Sequence, residues 1–257
     1  MAGLACPARR RLLALLLLSS LAPLPARADF PATVARVKRS VVAVGTYVAI
    51  GNPRFRFLGT GFVVGDGNRV VTNAHVVASA PESGDEKLVI AMPGSGPQVV
   101  ARPVRREASD LDHDLALLGF DGPALPALAL GDSNAVREGQ DVAITGFPLG
   151  GSIGIVPVTH KGIVSAITPI GQPVSTAKQL DGAAVRRLAA GGYSVIQLDL
   201  ISYPGNSGSP LFDAASGEVL GVLSMVFVKG GKESAVTSPS GISYAIPAAF
   251  VKTLLTP

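Results

Sequence analysis

After Asp29 the chain is a succession of short Val, Ile and Leu runs interrupted by Gly, Pro, Asn and Asp, and this punctuation most narrows what it can fold into. Runs of this length are too short for ordinary helices and suit strands. A first set comprises Ser40–Val44, Gly61–Val64, Arg69–Thr72, Leu88–Met92 and Leu115–Leu118. A second comprises Val142–Thr145, Gly162–Ile167, Tyr193–Leu198, Val219–Met225 and Ile242–Ile246. Asp66-Gly67 marks a tight turn, because glycine tolerates the positive φ that hairpins need. Gly122–Ser133, with Pro123, Pro126 and a Gly131-Asp132-Ser133 turn, divides the two sets and reads as a linker. The fold class is therefore all-β, in two units that barrel closure would relieve of exposed strand edges. Pro247–Leu255 reads as a short terminal helix, with Phe250, Leu254 and Leu255 at helical spacing. Residues 171–192 fit either a helical turn or a loop.

The N-terminus carries Arg9, Arg10 and Arg11, an apolar run from Leu12 to Leu24, and Ala26-Arg27-Ala28, a small-x-small cleavage pattern. This is the layout of a secretory signal peptide over residues 1–28, with an uncleaved anchor as the alternative. The apolar run falls short of the roughly 20 residues of a membrane span, so no stable membrane insertion is expected after cleavage. Removal of 1–28 takes four of the 22 basic residues and none of the 18 acidic ones, leaving a formally neutral chain. The basic pI belongs to the export signal, and no nucleic-acid partner is expected. The single cysteine, Cys6, lies in the same segment, so the exported protein would have neither a disulfide nor a cysteine nucleophile. The implied organisation is a signal at 1–28, an N-terminal barrel at 29–125, and a C-terminal barrel with its helix at 126–257.

Three polar strings stand out against this background. Val71-Thr72-Asn73-Ala74-His75-Val76-Val77 places a histidine at a strand end, and His113-Asp114-Leu115-Ala116-Leu117-Leu118 places an aspartate at the mouth of an apolar run. Pro204-Gly205-Asn206-Ser207-Gly208-Ser209-Pro210 places a serine between two glycines. A serine hydroxyl is a weak nucleophile until a base takes its proton and a third group orients that base. His75 fits the base, Asp114 the orienting carboxylate and Ser207 the nucleophile, with Asp110 and Asp112 as competing carboxylates. The glycines let the loop turn so that its amides converge on a developing oxyanion, with Gly205, Asn206 and Ser207 forming that hole. The order His, Asp, Ser is that of chymotrypsin-like enzymes, not of subtilisins or α/β-hydrolases.

With Gly59-Thr60-Gly61-Phe62-Val63-Val64, Gly139–Pro148, His160–Ile167, Gln197–Leu211 and Gly241–Val251, these strings resemble the protease domain of the HtrA/Deg serine endopeptidases over most of residues 30–255. The resemblance implies two six-stranded antiparallel β-barrels of chymotrypsin-like type and the roles just given for His75, Asp114 and Ser207. It also implies an exported, periplasmic or secreted endopeptidase acting on unfolded or damaged polypeptide substrates, and a possible homotrimer in which Phe30 would take part. No PDZ modules are expected after the protease strings, and the loop reads Ser209 where the family usually has glycine.

By position the primary specificity pocket would be walled by Ile201, Ser202, Tyr203, Ser224, Met225 and Val226. None is charged, so small or apolar side chains at the cleavage site are expected. Asn206, a neutral amide, cannot form the ion pair with a new N-terminus that activates trypsin-like zymogens. With three histidines in all, His160 lacks partner ligands, so no metal and no cofactor is expected. His113 reads as a surface residue. Two other functions fit the same cleft: a catalytically silent chaperone-like or peptide-binding protein, and an esterase.

Overall fold

The computed structural model describes residues 29–50, 53–78, 80–81, 84–93, 99–150, 154–170, 192–224 and 241–256. The expected export signal, nearly all of the undecided 171–192 stretch, Met225 and Val226 fall outside them. The chain opens with α1 (Phe30–Lys38), then β1 (Val41–Tyr47), β2 (Phe55–Val64), β3 (Arg69–Thr72) and the short α2 (Ala74–Ala78). β4 (Lys87–Pro93), β5 (Val99–Pro103), β6 (Arg105–Asp110) and β7 (Leu115–Gly119) complete a first sheet. β8 (Asp141–Gly146), β9 (Val158–Ile170), β10 (Tyr193–Asp199), β11 (Pro210–Asp213), β12 (Val219–Ser224), β13 (Ile242–Pro247) and α3 (Ala248–Leu255) follow.

The ladders between these strands are antiparallel, and the second set closes as a six-stranded barrel in the order β10-β13-β12-β11-β8-β9. The first set has seven strands in the order β5-β4-β1-β2-β3-β7-β6. Its two outermost members are consecutive in the chain, separated only by Val104, whose N–H bonds to the Leu88 carbonyl at 3.0 Å. One bent stretch thus pairs with β4 at one end and with β7 at the other. The curled sheet therefore has six staves, one of them broken at Val104.

Uninterrupted apolar runs, rather than alternation, arise because many strands are buried on both faces. In β1, Val42 and Val44 join Val63, Val70, Ile90 and Leu118 inside the first sheet. Val41 and Ala43 join a central cluster that also holds Phe62, Leu115, Phe147, Phe212, Val222 and Val251. β8 divides in the same way, with Val142 and Ile144 packed among Leu198, Leu211 and Leu223 and Ala143 in the central cluster. The central cluster draws on both strand sets and on α1 and α3. Truncating a fully buried member such as Phe62 to alanine costs about 3–5 kcal/mol.

The linker is stitched to both sets. Leu125 N–H bonds to Gly67 O and Leu128 N–H to Val63 O, each at 2.9 Å, while Gly131 N–H bonds to Val219 O at 2.9 Å. Gly67 is the expected turn glycine: its φ is +94°, and a Cβ there would lie 2.5 Å from Leu125 O. α3 begins at Ala248 with Pro247 in the preceding cap position, one residue later than the sequence suggested. α1 is an addition to the all-β reading. It docks on the β11–β12 turn through Thr33 Oγ1, which donates to Ala215 O at 3.2 Å, and through Arg36, which donates to Ser216 O. Among the described residues no helix is long and apolar enough to cross a membrane.

Candidate active site

The end of β3 and the hairpin between β6 and β7 build the first part of the site. α2 starts two residues after Thr72, and its first N–H groups turn toward Asp114. Asn73 Nδ2 and Ala74 N–H both donate to the Asp114 carbonyl, at 3.0 and 3.1 Å. Its carboxylate takes the His75 backbone N–H at 2.9 Å on Oδ1 and the His75 Nδ1–H at 2.8 Å on Oδ2. Oδ2 also accepts from Ser224 Oγ at 3.0 Å. Asp114 adopts φ +52°, a left-handed conformation that aspartate tolerates better than most residues. The Asp114 side chain is 12% exposed and that of His75 34%, so the carboxylate is enclosed while the imidazole reaches solvent. A carboxylate that only accepts fixes the proton on Nδ1 and leaves Nε2 as the basic nitrogen.

The second part is the loop around Ser207. Gly205 and Gly208 have φ +102° and +86°, and a Cβ on Gly208 would lie 2.0 Å from Thr60 O. Thr60 straps the loop to β2: its N–H donates to Ser207 O at 2.9 Å and its Oγ1 to Gly205 O at 2.7 Å. Phe147 N–H in turn donates to Thr60 Oγ1 at 3.1 Å. On the other side Gly208 N–H bonds to Leu223 O and Leu223 N–H to Ser209 O, both at 2.9 Å. Leu223 precedes Ser224, the donor to Asp114. Gly59 lies between the two parts, since a Cβ there would be 2.8 Å from Val76 Cγ2 and 3.1 Å from Ser207 O. The structure thus gathers the residue next to His75, the Asp114 support and the Ser207 backbone around one point at the junction of the two sheets.

Within the loop, Asn206, Gly208 and Ser209 donate their N–H groups to Tyr203, Leu223 and Asn206 carbonyls. Among the described residues the N–H groups of Gly205 and Ser207 have no acceptor. Backbone N–H groups left without an acceptor beside a serine are the donor type an oxyanion needs. Pro204 O is turned away onto Leu149 N–H at 2.8 Å, with Leu149 at φ +57°. Both polar atoms of the Asn206 side chain and Ser209 Oγ are buried with no partner among the described residues.

The expected pocket residues are less uniform. Ile201 is 44% exposed, whereas Ser202 is buried with its Oγ 2.7 Å from Ser243 Oγ. Tyr203 lies 5.8 Å from the His160 ring, and burial holds His160 below the usual histidine range. Ser224 is fully buried, and its hydroxyl serves Asp114. Its direction follows from β12 pairing with β13 and was not readable from the sequence. Thr60 was also missed as a strap, although the Gly-Thr-Gly-Phe string contained it.

His113 departs from the surface position expected of it. Its ring stacks on Phe250 with centroids 3.7 Å apart and lies 4.6 Å from Tyr193, and its Nδ1–H donates to Asp110 Oδ2 at 2.6 Å. Asp110 is thereby committed to another histidine, which separates it from the competing assignment. No group of three His, Cys, Asp or Glu side chains able to hold a metal occurs among the described residues.

The model of the trypsin-like peptidase domain matches residues 59–222, which runs from the strap beside Thr60 through α2, the Asp114 hairpin and the Ser207 loop into β12. The chain belongs to the trypsin-like peptidase family. It is 36% identical over 193 residues to a probable periplasmic serine endoprotease DegP-like of Halomonas elongata, covering 75% of this chain and 33% of that protein. A protein of the same description from Pseudomonas putida W619 is 35% identical over 191 residues, with 74% and 32% covered. The chain thus spans about a third of the length of these relatives. Among solved structures, the HtrA-type protease AlgW with tripeptide superimposes with a TM-score of 0.61 at 25% identity, over 88% of this chain and 62% of that one.

Proposed function

We propose that this chain is an exported, periplasmic serine endopeptidase of HtrA/Deg type in which His75, Asp114 and Ser207 form the catalytic triad. The observation that carries the reading is the Asp114 carboxylate, which holds both the backbone and Nδ1 of His75 while Ser224 and α2 hold Asp114 itself. His75 Nε2 takes the Ser207 Oγ proton as Oγ attacks the scissile carbonyl. The carbonyl electrons move to oxygen, which the Gly205 and Ser207 N–H groups stabilise. Collapse of this intermediate expels the amine, which receives the proton from His75, and leaves an ester on Ser207. Water, deprotonated by His75, then releases the acid and restores the hydroxyl.

The substrate class is unfolded or damaged polypeptide, and the uncharged Ile201 and Tyr203 favour small or apolar residues at the cleavage site. Export rests on the sequence pattern of residues 1–28. Phe30, the residue expected at a homotrimer contact, is half-buried with its ring 5.6 Å from Lys161 Nζ.

The test is digestion of a denatured protein by the chain lacking residues 1–28, with the new termini read by mass spectrometry. Cuts after Ala, Val, Ser or Thr that vanish in Ser207→Ala are expected. A folded protein that binds the denatured chain without cutting it would replace this reading with a peptide-binding one.

A further inference from the structure

The hairpin loop that carries Asp114 has four residues, of which Leu111 and Asp112 point to solvent. The other two are adjacent and hold opposite sides of one peptide. Asp114 reaches His75 and Ser224. His113 reaches away from them, onto Phe250 of α3 and Tyr193 at the start of β10, and those two rings meet each other edge to face at 5.1 Å. The Asp110 carboxylate fixes His113 twice, at the backbone N–H (3.0 Å) and at Nδ1 (2.6 Å). Asp114 itself holds φ +52°, a conformation that persists when its surroundings determine it.

We propose that His113 is a positioning residue: its clamp between Asp110 and the Phe250–Tyr193 pair fixes the 113–114 peptide, and thereby aims the Asp114 carboxylate at His75. The proposal rests on the triad reading given above for its effect on turnover, but its effect on the His75–Asp114 bond does not. A rotation about this peptide would swing the carboxylate off Nδ1, so the rings of β10 and α3 in the second strand set maintain a hydrogen bond formed within the first. Misplacement of an orienting group by about 1 Å is enough to cost a large factor in rate.

The test compares His113→Ala, which loses both contacts, with His113→Phe, which keeps the ring, and His113→Asn, which keeps an N–H toward Asp110. Two readouts are taken on the chain without residues 1–28: kcat and KM on an Ala- or Val-p-nitroanilide peptide, and the far-downfield proton resonance of His75 Nδ1–H. The expected result for His113→Ala is a fall in kcat on the order of tenfold with KM unchanged, and an upfield shift or exchange loss of the resonance, with partial recovery in Phe and Asn. Wild-type kcat and an unshifted resonance, whatever the melting temperature, would overturn the proposal. If His113→Ala does not fold, Phe250→Leu removes the stack from its other side and is judged by the same two outcomes. A wild type that turns over no peptide would sink the triad reading, while the resonance would still decide the positioning role.

Discussion

Two histidine–aspartate pairs stand one residue apart in this molecule and are bonded alike. In each, one carboxylate takes the backbone N–H and the Nδ1–H of the same histidine, at 2.9 and 2.8 Å for His75 with Asp114 and at 3.0 and 2.6 Å for His113 with Asp110. They differ in what surrounds them. His113 and Asp110 are three residues apart in one hairpin, and the ring lies on Phe250. His75 and Asp114 are 39 residues apart, and their meeting requires β3 to pair with β7. Asp114 also receives Ser224 from β12, and Val76, next to His75, faces the Ser207 backbone across Gly59. The pairing geometry is therefore generic, and in the proposed reading it is placement beside the largely buried Ser207 loop that sets His75 and Asp114 apart.

The largest expected effect separates the two pairs directly. Asp114→Asn, which leaves His75 in the wrong tautomer, should lower kcat by about 10⁴-fold. Asp110→Asn can still accept from His113 and should lower it by about tenfold or less. Steady-state kinetics on one peptide substrate checks both, and similar losses in the two variants would break the distinction.

The serine loop that one pair has and the other lacks can be tested next. Gly208→Ala places a Cβ against Thr60 O at positive φ, and a loss of at least about 2 kcal/mol in urea denaturation is expected. Thr60→Val leaves Gly205 O and Phe147 N–H unpaired, which should cost about 1–3 kcal/mol by the same measurement. In that variant the phosphonylation of Ser207 by a fluorophosphonate should also slow.

The smallest effect concerns acid stability away from both pairs. Burial alone would raise the Asp213 carboxyl, but bonds from Ser216 N–H, Gln140 Nε2 and Ala215 N–H outweigh it and hold it below the usual range. A depressed folded-state value means that the stabilisation is present above the unfolded carboxyl range, near pH 4, and is lost as pH falls through the folded value. Melting temperatures at pH 7 and pH 3 should therefore differ less in Asp213→Asn than in wild type. An unchanged pH dependence in that variant would contradict the assignment.

The strands were legible because two buried faces leave unbroken apolar runs, as in Val41–Val44 and Leu115–Leu118. β5, β6 and β11 were not: Val99–Asp110 mixes Arg, Glu and Pro with few apolar residues, Pro210–Asp213 has only Leu211 and Phe212, and all three gain strand form from their neighbouring ladders. α1 escaped notice because only Thr33 and Val37 of its nine residues are buried, too little periodicity to announce a helix. The site strings around His75, Asp114 and Ser207 were legible from residue types at turns. Ser224 and His113 were not, because a serine in a strand and a histidine in a hairpin acquire meaning only through partners distant in sequence, Asp114 and Phe250.

The central claim, that one pair activates Ser207 and the other does not, is tested most directly by the rate of covalent labelling with a fluorophosphonate. The account predicts labelling of the wild-type chain without residues 1–28, none in Ser207→Ala, a loss of several orders of magnitude in His75→Ala, and substantial labelling retained in His113→Phe. Labelling that survives His75→Ala, or that His113→Phe abolishes as completely as His75→Ala, would contradict it.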